Sequence, residues 1–231
     1  PLYSSAASDV YKRQIPMVVI VGQVSRASIG SDAFQETDTT GITLPVTKHN
    51  YLVMSASEIP QIIKEAFYIA NTGRPGPVLI DIPKDVQTEI AEFKYPSEID
   101  LPGYKPTLEG NGAQIKRAAK LIKESQRPVI IAGHGAIFSN AYDEIRELAE
   151  KAQIPVITTL LGISSFPEDH VLSVGMPGMH GMAYASLAIE EADLLIALGM
   201  RFDDRITGKP SAFSVNSKKI HVCLLYTSPS P

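Results

Sequence analysis

Residues 193–205 read DLLIALGMRFDDR: an aspartate, a five-residue apolar run, a glycine, then four charges crowded into the last five positions. A run this short and this apolar reads as a strand buried on both faces, and the glycine with its charges reads as the turn that ends it. The same grammar recurs on both sides. Pro128 to Ala132 is a second apolar run closed by Gly133-His134-Gly135. Pro155 to Thr158 is a third, followed by Thr159-Leu160-Leu161-Gly162, and Lys219 to Val222 is a last one. Between them the apolar residues of 113–125, 140–152 and 182–192 fall at helical spacing. Helices alternating with apolar strands predict an α/β fold, a doubly wound parallel sheet with right-handed crossovers and helices on both faces. Ligands bind at the carboxyl ends of such strands, so the turns just quoted are the residues to read.

Upstream, Met17 to Val21 is a continuous apolar run ending at Gly22 and reads as a strand buried on both faces. Between Glu58 and Asn71 the residues Ile59, Ile62, Ile63, Ala66, Phe67, Ile69 and Ala70 have helical spacing, with Ser57 placed to cap and a stop near Gly73. Gly73-Arg74-Pro75-Gly76-Pro77 is a rigid connector into a buried strand over 78–82. Residues 91–112 carry Pro96, Pro102, Gly103, Pro106, Gly110 and Gly112 without apolar period, which marks a linker between domains.

Composition excludes several functions. With 21 basic against 25 acidic residues and a net charge of -4, there is no basic surplus for nucleic acid. No apolar run approaches the roughly 18–20 residues of a membrane span. The single cysteine, Cys223, allows no internal disulfide and no cysteine zinc site, which fits a cytoplasmic setting. The five histidines show no metal-ligand spacing, and no Ser-His-Asp or Cys-His pattern appears. PLYSSAASDVYKRQ (1–14) and CLLYTSPSP (223–231) read as non-native tails: the first lacks signal-peptide features, and the second breaks off a strand and ends in Ser and Pro.

The candidate chemistry is ambiguous motif by motif. Gly133-His134-Gly135 suits either a phosphate held by backbone N–H groups or a plain tight turn, and no third glycine completes a dinucleotide fingerprint. Arg201, Asp203, Asp204 and Arg205 suit either solvated mutual ion pairs or guanidinium forks for phosphate and carboxylate. His180, in Gly178-Met179-His180-Gly181, reads as a helix start where a ligand meets an imidazole and open N–H groups, or as a structural histidine. GSDAFQETD (30–38) is a polar loop with a possible capping acid, and Lys48-His49-Asn50 reads as a wet cluster between strands.

Together GQVSRASIGSDAFQETD (22–38), TKHNYLV (47–53), NTGRPGPVLIDIPKDVQ (71–87), GMHG (178–181) and DLLIALGMRFDDRITGK (193–209) resemble the acetolactate synthase (acetohydroxyacid synthase) large catalytic subunits, over about nine tenths of the chain. The resemblance implies an internal stretch of a thiamin-diphosphate enzyme that also binds FAD. It places 15–95 in the C-terminal part of the pyrimidine-binding domain, 96–112 as linker and 113–222 in a truncated central FAD-associated domain. It assigns Arg74, Gly133, His134, Gly135, Thr159, Leu160, Met179, His180, Gly199, Arg201, Asp203, Arg205 and Ile206 to the FAD surface. Phe34 and Gln35 match residues near the thiamin-bound intermediate, Lys84 a lysine at the substrate channel, and Arg205 the arginine on the carboxylate of the second 2-oxo acid. The family's activating glutamate falls upstream of the matched stretch and its Mg2+ and diphosphate motif downstream, so the fragment alone is expected to be inactive. His134 stands where the family more often has glycine, and Cys223 where an acidic residue is expected. The implied reaction joins two pyruvates, or pyruvate and 2-oxobutanoate, with loss of CO2, in the biosynthesis of isoleucine, valine and leucine. Implied partners are a second copy of the large subunit and a regulatory small subunit. Pyruvate oxidase, glyoxylate carboligase or a non-enzymatic nucleotide-binding module are the alternatives.

Overall fold

Two parallel sheets form, one within Pro1–Leu108 and one within Glu109–Pro231, because most apolar runs are followed by a crossover that returns the chain to the same end of its sheet. The computed structural model describes Val10, residues 13–107 and residues 109–223. Of the two expected non-native ends, residues 1–9, 11–12 and 224–231 lie outside the described residues.

In the first unit the order is β1 (Met17–Gln23), α1 (Thr39–Thr43), β2 (His49–Leu52), α2 (Ile59–Asn71) and β3 (Pro77–Pro83). The sheet order is β1-β3-β2, with Met17 beside Pro77 and His49 beside Val78. Side chains on a strand alternate between faces. Val78 and Ile80 of β3 therefore pack with Ile62, Ala66, Ile69 and Ala70 of α2, while Leu79 and Asp81 point to the opposite face.

Three expectations change here. β1 is an edge strand with Ile20 58% exposed, so it is not buried on both faces. An edge strand has a neighbour on one side only, and the apolar side chains of α2 centre on β3. The cap before α2 is Ser55, not Ser57. A 3-10 turn, Ala56–Glu58, precedes the helix, and Ser55 accepts from Ser57 N while Glu58 reaches back to Ser55 N at 3.1 Å. Lys48-His49-Asn50 is wet only at His49, which is exposed. His49 opens β2, and the part-buried Lys48 ammonium donates to the Ile69 and Thr72 carbonyls at the end of α2 and to Tyr104 Oη at 2.8 Å. A cation on the last carbonyls of a helix satisfies acceptors that have no intrahelical partner. The proline-rich stretch is tied down as well, since Lys64 Nζ donates to the Pro96 and Ser97 carbonyls at 2.6 and 2.7 Å.

In the second unit come α3 (Gly112–Glu124), β4 (Pro128–Ala132), α4 (His134–Phe138), α5 (Tyr142–Ala152), β5 (Val156–Thr158), β6 (Ser173–Gly175), α6 (Ala183–Glu191), β7 (Leu194–Leu198), α7 (Asp204–Thr207) and β8 (Lys218–Val222). The strands lie in the order β6-β5-β4-β7-β8, all parallel. Val129, Ile131, Leu195 and Ala197 pack on one face with Ala185 and Ile189 of α6. Ile130, Ala132, Leu194 and Ile196 pack on the other with Ile145 and Ala149 of α5 and with Leu121 of α3. Burial on both faces is why these strands read as continuous apolar runs. The Asp193 carboxylate staples the amino ends of β4 and β7, accepting from Gln126 N at 2.7 Å and Arg127 N at 3.0 Å. Those backbone donors hold its carboxyl below the ordinary range.

Candidate functional site

The second sheet runs from β4 outward through β5 to β6, and from β7 outward to β8, so its direction reverses between β4 and β7. A reversal of this kind leaves a crevice at the carboxyl edge. There the turn after β4 is bonded to the turn after β7: Gly133 N donates to Leu198 O at 2.9 Å and Gly135 N to Gly199 O at 2.8 Å. A side-chain carbon at Gly133 would stand 2.6 Å from the Gly199 carbonyl oxygen, and one at Gly199, where φ is +61°, would stand 2.6 Å from Ala136 N. Backbone lies directly on backbone, which only glycine permits. The amides of Gly133 and Gly135 are thereby occupied within the protein and do not face a phosphate. For those two donors the tight-turn reading holds.

The neighbouring turns close on the same edge. Thr159 N donates to Ala132 O at 2.9 Å, and His134 Nδ1 lies 3.2 Å from the Leu161 carbonyl. Leu160 and Met179, at the ends of β5 and β6, are 67% and 78% exposed. His180 is exposed in a turn closed by Gly181 N donating to Gly178 O at 3.0 Å; it precedes α6 by three residues instead of starting it. Met182 N bonds Met176 O at 2.7 Å and Met182 is the N-cap of α6, so the helix begins within a residue of the apolar pattern. Gly178 packs so closely on Arg205 that an added carbon would sit 2.6 Å from the Arg205 carbonyl, which brings the turn after β6 against α7.

In the turn after β7, Arg201 faces Asp203 at 3.7 Å and Arg205 faces Asp204 at 3.8 Å. Exposed pairs at such distances hold weakly, so both guanidiniums can turn to an incoming anion. Asp203 caps α7 by accepting from Arg205 N at 3.2 Å. Ile206 and Phe202 pack against the core.

The first unit supplies Phe34, Gln35, Lys84 and Arg74. Phe34 and Gln35 lie in the loop after β1, and Lys84 directly follows β3, so these three share the carboxyl edge of the first sheet. Phe34 is 91% exposed, and Gln35 is held at φ +64°. Arg74 lies in the connector between α2 and β3. The side chains that shape this edge are ones the sequence reading did not single out. Arg26 joins all three strand ends: its Nε pairs with Asp85 at 2.7 Å, and its guanidinium donates to the Met54 carbonyl at 2.7 Å. The Arg26 guanidinium holds the Asp85 carboxyl below the usual carboxylate range. Glu36 closes the loop on itself by accepting from the amides of Gly30 and Ala33. An acid three residues beyond a turn was the available signal, and Asp38, which accepts from Gly41 N at 2.8 Å, is the capping acid at the start of α1. Among the described residues no group of three or more His, Cys, Asp or Glu side chains could hold a metal ion, and no helix is long and apolar enough to cross a membrane.

Comparison with known proteins meets this geometry at both edges. Residues 115–227 match the family described as thiamine pyrophosphate enzyme, central domain, which is the second sheet with its turns. The chain is 51% identical over 214 residues to the acetolactate synthase large subunit of Corynebacterium glutamicum, covering 93% of this chain and 34% of that protein. It is 50% identical over 214 residues to the acetolactate synthase of Mycobacterium leprae, with the same coverage of 93% and 34%. Against the large subunit of Porphyra purpurea the identity is 50% over 222 residues, 94% of this chain and 37% of that one. The chain thus spans about a third of the length of the curated relatives it matches. With the central-domain match over the second sheet and half-identity running through both units, the chain belongs to the acetolactate synthase family of thiamine pyrophosphate enzymes.

Proposed function

We propose that this chain forms part of the carboligase machinery of an acetolactate synthase large subunit, condensing two pyruvates to 2-acetolactate, or pyruvate and 2-oxobutanoate to 2-aceto-2-hydroxybutanoate, with release of one CO2. The reading rests on half-identity to acetolactate synthases across nine tenths of the chain, with the assigned residues other than Arg74 at or beside the carboxyl edges of two parallel sheets. Thiamin diphosphate, held with Mg2+ in the complete enzyme, supplies the electron sink for decarboxylation. This chain's own work is positioning. Arg205 addresses the carboxylate of the second 2-oxo acid with a planar fork, Gln35 and Phe34 border the reacting centre, and Lys84 lies at the substrate entrance.

FAD fits the carboxyl edge of the second sheet. Exposed Leu160 and Met179 offer an apolar platform for a flat ring, and Arg201 and Arg205 offer cations for a diphosphate, a task the occupied amides of Gly133 and Gly135 cannot perform. His134, Thr159, His180, Gly199, Asp203 and Ile206 complete this edge, and Arg74, which the resemblance also assigns to FAD, lies in the first unit. The names of two of the relatives, large subunits, fit a homo-oligomer accompanied by a smaller regulatory chain.

Two measurements test this. Purified chain should carry flavin absorbance, whereas NAD binding without flavin would replace the assignment by a generic nucleotide-binding module. In a complete subunit bearing this stretch, Arg205→Ala should lower kcat/KM by about 10- to 150-fold whether pyruvate or 2-oxobutanoate is the second 2-oxo acid, the value of one hydrogen bond to the carboxylate that both carry. An unchanged kcat/KM for both would remove Arg205 from the substrate site.

A further inference from the structure

The PVLIDIP segment of β3 puts one acid, Asp81, into an otherwise apolar central strand, and the side chain is 2% exposed. A buried carboxylate is costly unless it is hydrogen-bonded. Asp81 Oδ2 accepts from Gln23 Nε2 at 3.1 Å, whereas Oδ1 has no partner. The same Gln23 nitrogen donates to the Thr37 carbonyl at 2.8 Å, and the Gln23 oxygen accepts from Val24 N at 2.9 Å. Both ends of the carboxamide are therefore oriented. Thr37 stands two residues after Gln35, at the foot of the loop that Glu36 closes. Asp81 shares its face of the sheet with Leu79, away from α2, so its burial serves the loop side of the sheet and not the α2 core. Burial pushes its carboxyl above the ordinary range, against the pull of the Gln23 hydrogen bond.

We propose that Asp81 is a positioning residue for the loop carrying Phe34 and Gln35, acting through the Gln23 carboxamide on the Thr37 carbonyl. A negative acceptor makes the donor end of Gln23 point inward, and that same donor end then fixes where the loop meets the sheet. Asn at position 81 could present either end of its amide and would not enforce the orientation. The proposal rests on the reading of this loop as part of the carboligase centre, and two readouts separate the two ideas.

The first is amide exchange in this chain. Asp81→Asn should raise exchange of residues 33–39 by about tenfold or more, the scale expected when a charge-assisted hydrogen bond is lost. Val53 N, which donates to the Asp81 backbone carbonyl, should stay protected, as a general loosening of the sheet would not allow. Gln23→Ala should reproduce the change, and the double variant should add little to either single one, because both break the same connection. If Asp81→Asn does not fold, Gln23→Ala carries the test alone. Unchanged loop exchange in the folded variants, or additive effects, overturns the proposal. The second readout is turnover in a complete subunit bearing this stretch: kcat should fall about tenfold or more, and KM for pyruvate should change little, as for an interaction made chiefly in the transition state. Raised exchange with unchanged kcat would overturn the catalytic reading of the loop while bearing out the hold of Asp81 on it.

Discussion

The two sheets obey the same parallel logic and hold their carboxyl-edge loops by different means. In the second unit the turns after β4 and β7 are locked backbone to backbone, glycine against glycine, above strands buried on both faces. In the first unit only β3 is deeply buried, and the loops are held by side chains: Arg26 on Asp85, Glu36 on two amides, Gln23 on Asp81. A backbone lock is broken by adding volume, whereas a side-chain lock is broken by changing charge. The same edge of the same architecture should therefore fail in two different ways.

The largest contrast lies in the strands themselves. Ile196→Ala, between α3 and α5 on one face of β7, should destabilise the chain by about 2–5 kcal/mol in urea unfolding. Ile20→Ala, on the exposed edge strand, should stay within about 0.5 kcal/mol. Equal losses would mean that β1 is covered in solution and that the two sheets differ less than their packing indicates.

Next come the glycines. Gly199→Ala adds a carbon 2.6 Å from Ala136 N at a left-handed backbone position, and overpacking of this kind costs about 1–3 kcal/mol. Gly103→Ala, with nothing within 4 Å of the added carbon, should be close to neutral in the same urea unfolding. A neutral Gly199→Ala would show that the turn-to-turn lock yields easily.

The smallest effect is a titration. Backbone amides of Gly30 and Ala33 hold the Glu36 carboxyl below its ordinary range. A depressed folded-state pKa means that the loop closure is fully present above the ordinary value, about 4.3, and is lost as pH falls through the lower folded value. The amide proton shifts of Gly30 and Ala33 should follow that low-pH step and lose it in Glu36→Gln, while the glycine turn after β4, which uses no carboxylate, stays unmoved. A midpoint at or above the ordinary value would contradict the side-chain lock.

How much of this was legible beforehand follows from the same physics. β4 and β7 were plain in the sequence because burial on both faces demands uninterrupted apolar residues, and their boundaries agree within a residue of the pattern. β6 was not, because three residues with a single apolar side chain, Val174, carry no period. β2 was hidden by Lys48, whose charge is taken up by the end of α2, and by His49, which is exposed at the start of a strand only four residues long. The turns after the strands were recognisable as a site, yet GHG alone left open whether its amides face a ligand or another turn. That question is settled only by Gly199, 64 positions away, since 199 − 135 = 64.

By itself the sequence determined the fold class, the carboxyl-edge turns and, through five motifs in fixed order, the family, because hydrophobic period and local motif are properties of neighbouring residues. Only the tertiary structure decided which amides are occupied, which strand is an edge and which acid is buried beneath the Gln35 loop. Those depend on what a distant segment brings to within hydrogen-bond reach, and nothing local encodes that distance.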